Sequence, residues 1–253
     1  MDPVTGIAAA MAAAETERAD ALLVRRGVFS TRAQAQAAIM AGLVTADGAI
    51  VTKPAQRLGV DCKLEGRPAY PWVSRSGTKL AAALEAFGID PSGLECLDIG
   101  ASTGGFTQVL LARGAARVTA VDVGRGQLHP SLAADPRVRS LEGQDARTLD
   151  ADQLPAPPAL IVCDASFIGL AKVLARPLSL AAARAALVAL VKPQFDAGPE
   201  GVGRGGIARD PDGVAARVRT EIDGLAGFDV VAMIESPLAG GDGNREFLLY
   251  ARR

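Results

Sequence analysis

Asp98, Asp122, Asp145, Asp164 and Lys192 each stand at or beside the end of a short apolar run. In open α/β sheets that is where ligands collect, outside the carboxyl ends of the strands. The most informative stretch is Leu97 to Phe106, Leu-Asp-Ile-Gly-Ala-Ser-Thr-Gly-Gly-Phe, which reads as strand, glycine turn and helix start. Gly100, Gly104 and Gly105 are expected to allow positive φ and let a ligand lie against the backbone, with the N–H groups of the helix start facing it. Ser102, Thr103 and Phe106 complete the expected contact segment.

The residue types narrow the ligand. A dinucleotide fingerprint requires a glycine where Ser102 stands, and a P-loop requires Lys followed by Ser or Thr where Phe106 and Thr107 stand. Asp98 would repel a phosphate but could pair with a ligand ammonium group, such as that of S-adenosylmethionine. Asp122, one βαβ step downstream and followed by Val123, is placed to grip the two ribose hydroxyls of a nucleoside. Asp145 and Asp164, after the third and fourth strands, are expected at the mouth of the same crevice. The competing reading is that these acids only terminate strands.

Methyl transfer from a sulfonium is an in-line displacement, so the acceptor atom has to be held behind the methyl group. Carbon and amino-group acceptors leave other traces: a Pro-Cys nucleophile for cytosine C5, or an Asn/Asp-Pro-Pro-Tyr/Phe turn after the fourth strand for adenine. This chain has Asp164-Ala-Ser-Phe167 at that turn. A ribose hydroxyl is a poor nucleophile at neutral pH and needs a base or concentrated positive charge around the incipient alkoxide. Lys192 with Lys79 nearby would supply this, oriented by Asp164 and Glu246.

The elements that must position these groups alternate helix and strand in the doubly wound manner. Two further strands, Val230 to Ile234 and Phe247 to Tyr250, bring the expected α/β sheet to seven. In front lie two short helices, about residues 18–26 and 32–41, the second opened by a capping box at Thr31 and Gln34, and a hairpin turning at Asp47-Gly48. This gives an expected tail over 1–15, a small α+β domain over 16–66, a Pro-containing linker over 67–74 and a Rossmann-like domain over 75–253. Trp72, the only tryptophan, is expected to pack the two domains together.

Composition sets the remaining bounds. At 49% hydrophobic and 22% charged, the 253 residues are ordinary for a globular protein with a real core. No run reaches the ~18 apolar residues of a membrane helix. Three scattered cysteines suggest reduced thiols in a cytoplasmic protein, and one histidine, His129, leaves no partner imidazole for a metal site. Charge is uneven. Residues 18–79 hold ten Lys or Arg against four Asp or Glu, a surplus of six, whereas the remainder carries −7 of a total of −1. A basic front portion is what contact with a polyanion requires.

Residues 18–65 resemble the αL-type RNA-binding module of a ribosomal small-subunit protein and of many pseudouridine synthases. The resemblance rests on Arg18-Ala-Asp20-Ala-Leu22-Leu23, Ser30-Thr-Arg32, Gly42-Leu-Val44, Asp47-Gly48 and Lys53-Pro54. It implies contact with folded RNA through phosphates, for which Arg18, Arg25, Arg26, Arg32 and Lys53 are the candidates. Arg75, and Arg204 and Arg209 in the glycine-rich loop 196–210, read as a flexible basic loop, extend that set. Farther on, Lys79 in Ser-Arg-Ser-Gly-Thr-Lys, Asp164, Lys192 in Val-Lys-Pro-Gln-Phe and Glu246 in Gly-Asn-Arg-Glu-Phe match in order the Lys-Asp-Lys-Glu tetrad of FtsJ-type ribose 2′-O-methyltransferases. The chain from about Arg18 to Tyr250 is similar to the TlyA family, also labelled haemolysin A, departing from it at Ser76 and Pro71. That resemblance implies S-adenosylmethionine-dependent 2′-O-methylation of cytidine in ribosomal RNA, with Lys192 as chief base or alkoxide stabiliser, Lys79 and Glu246 positioning the ribose, and Asp164 linking tetrad and cofactor.

Three rivals remain at this level. A nicotinamide-dependent oxidoreductase conflicts with Ser102. A membrane-active protein, which the haemolysin label suggests, lacks a long apolar or strongly amphipathic segment. An RNA-binding factor with a retired transferase domain conflicts with the intact tetrad.

Overall fold

The computed structural model describes residues 15–253, so the expected tail lies outside the described residues except for Glu15. The chain divides into two compact units between Pro71 and Trp72. In the first, β1 (Thr16–Arg18) runs directly into α1 (Ala19–Arg25), and α2 (Arg32–Met40) follows. The Thr31 side chain caps α2 by accepting from the Gln34 N–H at 3.2 Å. Strands β2 (Val44–Ala46) and β3 (Ala49–Ile50) form the expected hairpin, with Thr45 opposite Ile50 and both Asp47 and Gly48 at positive φ. Two further short strands, β4 (Arg57–Gly59) and β5 (Leu64–Gly66), are not signalled by alternation. The first pairs with β1 and the second with β2, both antiparallel. Leu22, Leu23, Phe29, Ile39, Val44 and Val51 fill the core of this unit.

In the second unit, α3 (Ser76–Phe87) leads into β6 (Glu95–Ile99), α4 (Gly105–Ala112), β7 (Arg117–Asp122), the single-turn α5 (Pro130–Ala133) and β8 (Val138–Glu142). Then come β9 (Leu160–Cys163), α6 (Leu170–Ser179), β10 (Ala186–Val191), the short α7 (Pro193–Asp196), α8 (Pro211–Ile222), β11 (Asp229–Glu235) and β12 (Phe247–Arg252). The seven strands make one sheet in the order β11-β12-β10-β9-β6-β7-β8. Ladders from β8 to β10 are parallel, and β12 runs antiparallel to both of its neighbours. The chain order reverses on either side of β6, which opens the crevice where such sheets hold ligands.

Strands β9 and β10 read as unbroken apolar runs because both faces are covered, whereas the edge strands β8 and β11 carry exposed positions. Along β10, Leu187, Ala189 and Val191 face the layer containing Val173, Leu174, Val218 and Ile222 of α6 and α8. Val188 and Leu190 face the opposite layer, with Leu80 and Leu84 of α3 and Val109 and Leu110 of α4. A period of two thus sends neighbouring residues into different cores. Cys96 and Cys163 lie inside strands and are buried. Burial in these apolar surroundings pushes each thiol up to about 12.

The second unit begins earlier than the expected boundary at 75. Val73 is buried and its N–H donates to Gln108 Oε1 at 2.6 Å, while the Trp72 ring lies against Gly77, closer than a Cβ there would allow. Trp72 to Ser74 are therefore built into the second unit rather than forming linker.

Candidate active site

A cleft of about 630 Å³ opens at the carboxyl ends of β6, β7, β8 and β9. Gly100, Ser102, Asp122, Val123, Asp145 and Asp164 line it, so six of the expected cofactor residues come together. Its volume is that of a pocket for a small organic ligand. Asp122, at the end of β7, accepts from the Ser102 N–H at 2.8 Å and the Gly124 N–H at 2.7 Å. Each carboxylate oxygen keeps a further lone pair for ligand hydroxyls. Ser102 itself is held at a φ of 47°, left-handed for a residue with a Cβ, and this aims its N–H at Asp122. Asp145 is engaged by Arg147 through a 2.6 Å ion pair, which holds its carboxyl below the usual range.

The glycine loop works differently from the sequence expectation. Positive φ holds at Gly100 and Gly104 but not at Gly105, which is helical. The space beside all three belongs to the protein, not to a ligand. A Cβ on Gly100 would meet the Ala165 backbone at 2.9 Å, one on Gly104 would strike Leu132, and one on Gly105 would strike Ser74 and Ser76. The glycines let the segment after β9, the segment after β7 and the start of α3 close onto the loop. Phe106 is likewise a core residue, 2% exposed, and Thr103 uses its carbonyl to accept from His129 N–H. Neither lines the cleft.

Asp98 lies beneath the loop, fully buried. Its Oδ2 accepts from Thr107 Oγ1 at 2.6 Å, and its Oδ1 has no hydrogen-bond partner among the described residues. Burial, reinforced by the charges of Asp164 and Asp122, pushes its carboxyl up to about 7. Asp98 is not among the residues that line the cleft; an orphaned, buried carboxylate oxygen in the field of two other acids is one that a nearby cationic group would stabilise.

The four tetrad candidates form two ion pairs. Lys192 Nζ lies 2.6 Å from Asp164 Oδ1 and donates to the Asp164 carbonyl at 3.0 Å and to Ser166 Oγ at 2.8 Å. Lys79, on the first turn of α3, contacts Glu246, and both are almost wholly buried. Each lysine thus has its own acid, in place of a lysine pair flanked by acids. Asp164 belongs to both the cleft and the Lys192 pair.

Residues 72–253 match the model of the FtsJ-like methyltransferase, and residues 17–61 that of the S4 domain. The chain belongs to the FtsJ-like methyltransferase family. A 16S/23S rRNA (cytidine-2′-O)-methyltransferase TlyA from Mycobacterium tuberculosis is 46% identical, over 94% of this chain and 91% of that protein. Hemolysin A from Brachyspira hyodysenteriae is 37% identical over 92% and 98% of the two chains. A solved structure from Streptococcus thermophilus, provisionally named a hemolysin, aligns with a TM-score of 0.74 at 38% identity, covering 95% of this chain and 90% of that one. No helix among the described residues is long and apolar enough to cross a membrane.

Around this FtsJ-like site the structure adds groups that sequence reasoning missed. Ser166 and Phe167 share the Asp-Ala-Ser-Phe run with Asp164, and Phe195 shares Lys-Pro-Gln-Phe with Lys192, so adjacency was their only signal. Phe167 is 90% exposed at a φ of 64°, its ring 4.9 Å from that of Phe195. Asp196 Oδ1 accepts from the Leu170 N–H at 3.0 Å and so ties the start of α6 to α7.

The basic candidates divide by what they touch. In the S4 unit, Arg18 and Arg32 both turn onto Asp20, which is fully buried and also accepts from Gln36. The bonds from Arg18, Gln36 and Arg32 hold that carboxyl well below its usual range. A buried acid requires such partners, and both arginine side chains stay about half exposed. Arg25 pairs with Glu17, Arg26 donates to the Val60 carbonyl, and Lys53 is exposed. In the methyltransferase unit Arg75 lies against Gly241, and Arg204 and Arg209 are exposed. Two 3-10 turns and a bridge between Val202 and Ala208 give their loop a defined course.

Proposed function

We propose that this protein transfers a methyl group from S-adenosylmethionine to the ribose 2′-hydroxyl of a cytidine in ribosomal RNA. The observation that carries the reading is Asp164, which lines the nucleoside-sized cleft and at the same time holds Lys192 at 2.6 Å. A cofactor site and a charged tetrad that share one carboxylate place donor and acceptor side by side, and the effective concentration this creates is a large part of such catalysis. The cleft suits that cofactor: Asp122 for ribose hydroxyls, Val123 and Asp145 flanking the base, and the orphaned Asp98 carboxylate beneath for a positive group. S-adenosylmethionine supplies an electrophilic methyl on a sulfonium.

The chain's own residues ready the nucleophile. Lys192 concentrates positive charge where the alkoxide develops, in a site shielded enough for that charge to count. Lys79 and Glu246, buried together, position the ribose. The assembled tetrad supports an active enzyme over a retired one.

Targeting is assigned to the S4 portion, with 16–66 as the RNA-binding domain, 67–71 as the connection and 72–253 as the methyltransferase domain. Arg18, Arg25, Arg26, Arg32 and Lys53, with Arg75, Arg204 and Arg209, are the proposed phosphate contacts. A cytoplasmic location follows from a ribosomal substrate and from thiols that are all free among the described residues. The test is to incubate the protein with tritiated cofactor and ribosomal subunits and to map ribose methylation by primer extension. Label on a cytidine 2′-oxygen is expected; label on a base, or none, overturns the reading.

A further inference from the structure

The loop between α7 and α8 carries the two exposed arginines at 204 and 209, and it is a built structure. The Gly203 N–H donates to the Ile207 carbonyl at 2.7 Å, and the Arg209 N–H donates to the Gly201 carbonyl at 2.9 Å. Gly205 and Gly206 both sit at left-handed φ, 77° and 79°, so the tip has one backbone course that other residues adopt only under strain.

What holds this tip comes from a distant part of the chain. Asn244 is 1% exposed. Its Oδ1 accepts from the Ala208 N–H at 2.9 Å and its Nδ2 donates to the Gly206 carbonyl at 2.9 Å. Its own carbonyl accepts from the Gly240 N–H at 2.8 Å. Two residues on, Glu246 is 3% exposed and paired with Lys79, and its carbonyl accepts from the Ser236 N–H. One short segment, Asn244-Arg245-Glu246, therefore clasps the arginine-bearing tip at one end and the tetrad at the other. An asparagine suits this place because the tip presents one donor and one acceptor, and a side-chain amide offers the complement of both.

We infer that Asn244 is a positioning residue for the RNA substrate: it fixes Arg204 and Arg209 relative to Glu246, so that these arginines grip a backbone phosphate of the strand whose ribose enters the tetrad. The inference rests on the methyltransferase reading above. Asn244 touches neither cofactor nor the reacting oxygen and acts through the loop. Guanidinium groups bind phosphate by paired, directional hydrogen bonds, so their placement decides their grip.

The test uses the full-length protein and ribosomal subunits. Asn244→Ala is expected to raise the KM for subunits roughly tenfold, the effect of unmaking a pair of buried hydrogen bonds, with kcat lowered much less and cofactor affinity by calorimetry unchanged. Hydrogen exchange should accelerate over residues 200–209. Asn244→Asp, which keeps the acceptor for Ala208 but not the donor for Gly206, should fall between, and serves if the alanine variant folds poorly. In an Arg204→Ala/Arg209→Ala background, Asn244→Ala should add almost nothing. Additive losses, or a fall in kcat at unchanged KM, overturn the inference. Wild-type protein that binds cofactor but labels no ribosomal RNA overturns the functional reading itself, and this inference with it.

Discussion

Lys192 and Glu246 are the first residues beyond an antiparallel ladder whose last pair is Val191 opposite Phe247. That register places the head of β10 and the foot of β12 side by side. The two ion pairs, Lys192 with Asp164 and Lys79 with Glu246, are thereby joined through backbone that the sheet holds rigid. Precision in such a site comes from strand ends, which shift less than loops.

Lys192→Ala should lower methyl transfer by on the order of 10²-fold or more, the range for losing a proton-transfer or charge-stabilising group. Cofactor binding should change little, because Lys192 itself is not among the residues that line the cleft. Parallel calorimetry and tritium transfer distinguish the two effects, and full transfer by the variant removes Lys192 from the mechanism.

The Asp98 carboxyl is raised to about 7 in the folded protein, chiefly by burial. An acid with a raised folded pKa binds more protons folded than unfolded between its two values, so its contribution to stability is present at about pH 4 and is lost as pH rises to about 7. Asp98→Asn should remove that loss. The variant's advantage over wild type in thermal unfolding should therefore be larger at pH 8 than at pH 5; equal shifts at both pH values refute the assignment. Cofactor with its positive group should narrow the difference in wild type, since a cation beside Asp98 favours the ionised form.

Gly100→Ala should cost roughly 2–4 kcal/mol, combining a left-handed φ of 77° with a Cβ placed 2.9 Å from the Ala165 backbone. Since the push falls on the segment carrying Asp164, cofactor affinity should weaken with stability. Denaturant melts and calorimetry report the two, and a variant as stable as wild type contradicts the packing argument.

Phe167 combines strain with exposure, and strain of this kind persists at sites that use it. Phe167→Gly should stabilise the apo protein by up to about 1 kcal/mol through relief of the left-handed backbone, while lowering kcat/KM for RNA, because the aromatic surface shared with Phe195 at the rim is gone. Unfolding midpoints and steady-state rates, measured on the same preparations, should move in opposite directions.

Local sequence determined much of this protein. Apolar runs place the central strands, as in Leu160–Cys163 and Ala186–Val191, because a strand covered on both faces has to be apolar throughout; the edge strands β8 and β11, partly exposed, mix polar residues with their apolar ones. Thr31 with Gln34, and Asp47 with Gly48, are cap and turn chemistries that act over three or four residues and are legible without the fold. The tetrad residues could be named because each sits in a recognisable run.

Their pairing was decided only by the tertiary structure. Lys79 meets Glu246 across 167 positions, and nothing in either run says which acid each lysine takes. The same holds for the glycine loop, whose absent side chains make room for the segment after β9, the segment after β7 and α3, and for Arg18 and Arg32, drawn onto the buried Asp20. Asn244 stands in the run that holds Glu246, but nothing there says what its side chain binds, since its two hydrogen bonds reach 36 and 38 residues back along the chain. Hydrogen bonds and ion pairs of this reach are set by how strands stack and cross over, a property of the whole sheet that no window of sequence contains.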